Sequence, residues 1–389
     1  MPAPRGDRRL TRFLASERNS GVLVVAAAGL GLLLANSPLA AAYESFRSLK
    51  IGIAEVHLNL SVATWAADGL LAIFFFVIGI ELKREFTQGS LSRPSRAALP
   101  IAAAFGGMAL PALIYAAINV SNPDGSLRGW GIPMATDIAF ALAVLSVFGR
   151  GIPTAIRGFL LTLAIVDDLG AIAVIALFYS SSLNLAALLA AGALIGVFWM
   201  LQRARIRSWP LYLALGLSSW VALHESGVHA TIAGVALGLA TRGNKDPGED
   251  QAPAERWEQR LHPLSAGFAA PLFAFTAAGI TIEPAGIAGT LDSPIFLGVV
   301  FGLVVGKPLG IFLGARFASA LFGSGPPSGG SWADVGRIGI VAGIGFTVAL
   351  LIAELAYAGA AQDLAAAKSG VILASLLSAA AAAVTLSRR

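Results

Sequence analysis

Twelve apolar stretches follow one another along the chain, at about 20–36, 62–80, 97–120, 131–149, 153–179, 183–201, 208–223, 226–241, 262–282, 294–315, 338–357 and 366–386. A hydrocarbon core roughly 30 Å thick takes about 20 residues of helix to cross. It offers no water to unpaired backbone groups, so the backbone must bond to itself, as a helix does. The expected fold is therefore an all-α polytopic membrane protein of about twelve transmembrane helices, with 1–389 forming a single integral membrane domain. Composition agrees: 56% of residues are hydrophobic and 13% charged, and the mean hydropathy is +0.76. The longest polar stretch, Thr241 to Arg260, reads as an interhelical loop. With no cysteine, disulfides, thiol catalysis and Cys-ligated metals are excluded.

The basic residues set an orientation. If the N-terminus is cytoplasmic, 22 of the 27 lysines and arginines fall in inside segments, and only Arg47, Lys50, Arg128 and Lys368 fall outside. Lys307 alone lies deep in a span. That asymmetry predicts both termini in the cytoplasm. It also makes the net charge of +5 a mark of topology, so the expected partner is the lipid bilayer and not nucleic acid. The first stretch has a second reading, since Leu39 to Ala42 could end a cleavable secretory signal. Outside the spans, residues 49–60 alternate apolar with polar or small residues. This suggests a short external β-hairpin, whose edge could pair with a second copy; an irregular surface loop is the alternative.

Chemistry concentrates at depth. Asp167 and Asp168 sit near the centre of a run, Gly158 to Tyr179, that is otherwise uncharged. An ionised side chain there costs on the order of 3 kcal/mol, and carboxylates that persist at such depth usually handle protons or cations. Adjacent helical residues point about 100° apart, so one of the pair can face a cavity while the other turns to a neighbouring helix. Asp68, Asp137 and Lys307 are also buried in apolar context. Lys307 needs a shifted pKa or a carboxylate partner, and a purely structural salt bridge is one reading of it. Four carboxylates exceed one lysine, and the surplus calls for protons or a cation. Pro133 disturbs the helix before Thr136 and Asp137, and Gly343 and Gly345 permit an unwound stretch, although close packing would use glycines there too. These two breaks fall in the middle spans of units at about 97–179 and 294–386, which start on opposite sides of the membrane. Inverted-topology repeats with two broken helices would place an ion site at the midplane. Near the cytoplasmic ends, Glu81, Lys83, Arg84 and Glu85 close one span and Glu258 and His262 open another. They read either as a solvated ion-pair cluster or as a proton-responsive one.

Several motifs resemble the NhaA-type sodium/proton antiporter family. They are Ala135-Thr-Asp-Ile-Ala-Phe-Ala-Leu142, Ile165-Val-Asp-Asp-Leu-Gly-Ala171, Ser226-Gly-Val-His-Ala-Thr231, Gly306-Lys-Pro-Leu-Gly310 and Gly343-Ile-Gly-Phe-Thr347. Glu81-Leu-Lys-Arg-Glu85 and Leu272-Phe-Ala-Phe275 agree as well. The resemblance implies that Asp168 is the main cation-binding carboxylate, with Asp167 its neighbour and the partner of Lys307. Asp168, Asp167 and Thr136 would be the metal-ion ligands. Thr136 and Asp137 would lie at the crossing of two broken helices, with Asp137 compensating the facing helix ends. Asp68, Gly343 and Gly345 would modulate transport. Glu81, Arg84, Glu258, His262 and His229 would shape the pH response, although Gln259 stands where the family pattern has another histidine. The hairpin at 49–60 would be a homodimer contact, and the location a bacterial inner membrane.

The activity expected is electrogenic, pH-regulated exchange of Na⁺ or Li⁺ for H⁺ by a transporter that is not an enzyme and needs no cofactor. The rivals are a cation channel, which needs a continuous pore, and an intramembrane aspartyl protease, which needs two aspartates converging on one water from separate helices.

Overall fold

Among the described residues helices fill most of the apolar stretches, and where they break is what positions the polar residues. The computed structural model describes residues 17–54, 58–180, 183–281 and 287–388. In order these hold α1 (Glu17–Ala35), α2 (Ala40–Ser48), β1 (Lys50–Ile51), β2 (Leu60–Ser61), α3 (Val62–Thr87), α4 (Pro94–Val120), α5 (Ile138–Phe148) and α6 (Thr154–Phe178). Next come α7 (Leu185–Arg203), α8 (Trp209–Glu225), α9 (Thr231–Ala240), α10 (Pro253–Leu264), α11 (Ala270–Ala277) and α12 (Ile287–Asp292). The chain ends with α13 (Pro294–Phe322), α14 (Trp332–Ala342), α15 (Phe346–Ala356) and α16 (Ala361–Ser387). Among the described residues six helices are long and apolar enough to cross a membrane, or up to nine if each bent pair counts as one span. The structure is thus mostly helical with six to nine candidate crossings.

Two compact units can be described separately. The first contains Ser45–Gly89 and Ile172–Phe273. In it α3 and α9 meet backbone to backbone, because a Cβ on Gly234 would collide with the Ala72 carbonyl and one on Gly238 with the Phe76 carbonyl. The strands pair antiparallel, Lys50 with Ser61 and Ile51 with Leu60. This is a shorter ladder than the alternation suggests, and Glu55 to His57 lie outside the described residues. The polar stretch from Thr241 is not loop throughout, because α10 starts at Pro253. Proline at the first helical position and a Glu255 carboxylate accepting the Ala252 N–H at 3.3 Å account for that start.

The second unit contains Ser16–Glu44, Ser90–Ala171 and Ala274–Arg389. α4 and α13 approach so closely that a Cβ on Gly106 would strike the Gly310 carbonyl, and one on Gly314 the Ala102 carbonyl. Small residues four apart are how membrane helices gain packing that hydrophobicity cannot drive within lipid. α1 and α2 bend by 117° about residues 36–39 and belong to this packing. Asn36 Nδ2 donates to the Ile280 carbonyl at 2.7 Å and Tyr43 Oη to the Phe275 carbonyl at 2.5 Å.

Candidate functional site: buried carboxylates at two helix breaks

Both expected breaks are present in the second unit. Residues Leu127–Met134 and Ile138–Phe148 are bent by 40° across Ala135 to Asp137, and α14 and α15 by 47° across Gly343 to Gly345. Each break exposes peptide groups that a continuous helix would pair, and these need partners in a dry interior. Asp137 serves both breaks. Its Oδ1 accepts the Phe140 N–H at 2.9 Å, capping α5. Its Oδ2 accepts the Thr347 N–H at 3.1 Å and the Thr347 hydroxyl at 2.8 Å, in the first turn of α15. Its own N–H donates to the Ile344 carbonyl at 2.7 Å. One carboxylate thus lies at the positive ends of two half-helices. Ser375 adds an acceptor that the sequence did not single out, taking the Phe346 N–H at 3.3 Å.

The negative ends have their own partners. Thr136 Oγ1 lies 2.8 Å from Asp167 Oδ2 and 3.1 Å from the Ala342 carbonyl at the end of α14, and its single proton can serve only one of them at a time. Lys307 Nζ lies 2.8 Å from the same Asp167 oxygen and donates a short bond to the Met134 carbonyl, where the first break begins. Asp167 and Lys307 are both fully buried. The other Asp167 oxygen, Oδ1, is buried with no hydrogen-bond partner among the described residues. Asp168 follows on α6, 1% exposed, so both aspartates lie inside the protein and neither faces lipid. The structure therefore joins Thr136, Asp167 and Lys307 into one bonded network, while Asp137, next to Thr136 in sequence, bonds instead to Phe140, Ile344 and Thr347, and Asp168 adjoins Asp167 in sequence.

Gly343 and Gly345 do not provide flexibility. Their φ angles of −64° and −89° are open to any residue. What requires glycine is crowding: a Cβ on Gly343 would stand 2.8 Å from the Leu303 carbonyl, and one on Gly345 3.1 Å from the Ala135 carbonyl. The first glycine lets α14 end against α13, and the second brings the two breaks together.

The remaining expected residues fall in the first unit, away from this network in the chain. Asp68 lies in a π-helical turn, Trp65–Leu70, with His229 Nε2 at 3.4 Å and His224 Nδ1 at 3.9 Å. Trp65 stacks on Trp220, and Trp220 on His224. Arg84 Nη1 reaches both Glu258 oxygens at 3.1 and 3.0 Å. Glu258 thus pairs with Arg84, while His262, one turn on, has its Nδ1 buried with no hydrogen-bond partner among the described residues. Glu81 is partly buried. Further π-helical turns adjoin the functional candidates at Ser265–Ala269, after His262, and at Gly302–Gly306, directly before Lys307. Such turns often mark functional positions, because the extra residue leaves backbone groups unpaired. Sequence periodicity does not show them.

Two features depart from the sequence reading. Lys368, expected in an external loop, is buried on α16, and its Nζ lies 2.9 Å from Glu354 Oε1 on α15. Between α9 and α10, Glu249 gathers Arg242 at 2.8 Å, Arg207 at 3.2 Å and Arg256 at 3.4 Å. The Asp246 N–H and the Arg242 guanidinium hold its carboxyl below the usual glutamate range.

A family model described as Na+/H+ antiporter 1 matches residues 11–386. The chain is 49% identical to Na(+)/H(+) antiporter NhaA 3 of Streptomyces coelicolor, over 100% of this chain and 85% of that protein. It is 48% identical to Na(+)/H(+) antiporter NhaA of Thermobifida fusca, over 100% of this chain and 96% of that one. Among solved structures, the sodium proton antiporter MjNhaP1 from Methanocaldococcus jannaschii aligns with a TM-score of 0.51 at 17% identity, covering 95% of this chain and 91% of that one. At that identity the likeness concerns the fold alone. With nearly the whole length matched by the family model, and with relatives near half identity end to end, this chain belongs to the Na+/H+ antiporter 1 family.

Proposed function

We propose that the chain exchanges Na⁺ or Li⁺ for protons across a bacterial plasma membrane, with both ions competing for Asp167 and Asp168. The observation that carries this reading is a fully buried Asp167 with one oxygen held by Thr136 and Lys307 and the other buried without a hydrogen bond. A buried anion with spare acceptor capacity beside a second buried carboxylate must take up protons or a hard cation. Carboxylate, hydroxyl and backbone carbonyl oxygens suit Na⁺ and Li⁺. The cation cannot occupy the carboxylates until their protons leave, so one site couples two fluxes, and exposure to alternate sides makes the exchange obligatory.

Finer parts of the proposal follow from the same arrangement. Twelve crossings with both termini cytoplasmic fit the basic residues, and the paired breaks fit inverted repeats at about 97–179 and 294–386. The Asp68–His229 and Arg84–Glu258 contacts, with Glu81 and His262, are the groups through which pH would regulate the exchange. The segment 49–60 would pair two copies. Two protons for one Na⁺ would move net charge. The proton gradient is the energy source.

Proteoliposomes loaded with a proton gradient test the core claim. Adding Na⁺ or Li⁺ should dissipate the gradient, and Asp168→Asn, which keeps volume but loses the charge and the titratable proton, should abolish this while the protein stays folded and inserted. Exchange at the normal rate in that variant would remove Asp168 from the site.

A further inference from the structure

Around the N-terminal half of α14 in the second unit, α13, α14 and α16 leave an open groove of about 420 Å³. Pro308, Leu309, Phe312, Gly336, Arg337 and Arg388 are among the residues that line it. The floor is apolar and belongs to a lipid-facing wall: on α13 Val305, Leu309, Leu313, Phe317 and Leu321, four residues apart, are each 40–67% exposed. The rim is basic. Arg337 Nη1 holds Asp334 at 2.9 Å and its Nε the Thr385 carbonyl at 3.1 Å, but no described residue engages its Nη2. Arg388 is exposed and makes no ion pair among the described residues. Arg316 lies over the Trp332 ring at 4.7 Å, and Trp332 meets Phe312 edge-on. Tryptophan beside arginine is the pattern of a membrane–water interface. Gly336 keeps the groove open, because a Cβ there would meet nothing within 4 Å.

We propose that this groove is a binding site for one acidic phospholipid of the surrounding bilayer. Its phosphate would lie against Arg388 and the open edge of Arg337, and an acyl chain would run along Leu309 and Phe312. Lipid must cover an apolar wall at this depth, and the charge of the rim selects among lipids. A neutral headgroup would leave the Arg388 guanidinium facing the interface without a counter-ion, whereas an anionic one supplies the counter-charge. The asymmetry of basic residues puts this end on the cytoplasmic side, where positively charged segments meet anionic headgroups. Asp334 offsets part of the basic charge, so Arg388 makes the main phosphate contact. The proposal does not depend on which ions the chain transports. It has one consequence for them: Pro308, in the groove wall, directly follows Lys307, and Gly339 of α14 packs against it, so an occupied groove would brace the helix that carries the buried lysine.

Thermal unfolding of the purified full-length protein in detergent tests the site, with added phosphatidylglycerol, phosphatidylcholine or inorganic phosphate. Phosphatidylglycerol should raise the unfolding temperature at least about twofold more than phosphatidylcholine, because only a ligand of the folded state stabilises it. Inorganic phosphate should give no shift. Arg388→Gln removes the phosphate contact at an exposed position, and Gly336→Leu fills the groove where the fold has room. Each should unfold near the wild-type temperature in detergent alone and lose at least half of the phosphatidylglycerol-specific shift. Equal shifts from the two lipids, a shift from phosphate alone, or a full lipid-specific shift in both variants would overturn the proposal.

Discussion

At the scale of single residues, the decisive contact is Lys307 with Asp167, 2.8 Å apart and both wholly buried. Two charges in the interior are tolerable together and costly apart, since removing one partner of such a pair leaves an uncompensated charge worth about 3–5 kcal/mol. Lys307→Gln should therefore destabilise the protein severely, and Asp167→Asn should strand the lysine in the same way. The double variant should be more stable than the worse single one, because it buries no net charge. Melting temperatures of the four proteins in one detergent check this, and losses that simply add would break the pairing. That Lys307 needs a carboxylate was legible in the sequence, because a lone lysine and a surplus of acids in uncharged runs have few ways to coexist; that Asp167 is the one came only from the family resemblance. The Lys368–Glu354 pair was not legible. Lys368 sits near a span end, where a lysine normally reaches water, and only the packing of α15 on α16 shows it buried. The crowding at Gly343 and Gly345 was likewise hidden. Sequence shows that a side chain is missing but not whether freedom or space required its absence.

At the scale of elements, the helix breaks depend on Asp137. Replacing it with alanine would leave the Phe140 and Thr347 amides and the Thr347 hydroxyl without acceptors in a dry interior, at roughly 1–3 kcal/mol for each unsatisfied group. Asp137→Ala should thus cost several times the ~1 kcal/mol of an ordinary helix cap, and Asp137→Asn, which keeps one acceptor, should cost less. Equal losses, near that of a single cap, would show that water enters the crossing. The breaks themselves were readable from Pro133 and from Gly343 and Gly345, but the Asp137–Thr347 contact joins positions 210 apart in sequence, and no periodicity reports it. A second element, the arginine-clamped turn around Glu249, carries a pH prediction. Its carboxyl lies below the ordinary glutamate value of 4.5 when folded. The stabilisation it gives is therefore complete above that value and is lost as pH falls through the folded pKa. Glu249→Gln should lower the melting temperature at about pH 7, with the gap to wild type closing as pH falls below the ordinary glutamate value and through the folded pKa. A gap that stays constant would mean that folding does not shift the Glu249 pKa, so the arginine clamp gives its charge no net stabilisation.

For the whole molecule, the proposal that two ions share one site predicts how transport follows pH. Raising pH removes protons from the carboxylates, so apparent Na⁺ affinity should climb until they are fully ionised and then level off. Asp167 shares its oxygen with Lys307 and Thr136 and adjoins Asp168, so their titrations are linked and no apparent pKa belongs to a single residue. A separate pH sensor at Asp68 and His229, or at Arg84 and Glu258, would act differently, switching the maximal rate on and off without changing the competition. The two can be separated. Asp68→Asn or Glu258→Gln should move the pH at which the rate rises, yet leave the slope of apparent affinity against pH intact, because neither removes a carboxylate for which the two ions would compete. Solid-supported-membrane currents recorded over a matrix of pH and Na⁺ concentration give both quantities at once. A flat apparent affinity across the active range would eliminate competition and leave regulation by these other residues as the source of pH dependence. The sign of the current decides the remaining question: two protons in for one Na⁺ out carries net positive charge inward, so an imposed inside-negative potential should speed exchange. Flux confirmed independently with no accompanying current would leave the antiport standing and set the exchange at one proton per cation.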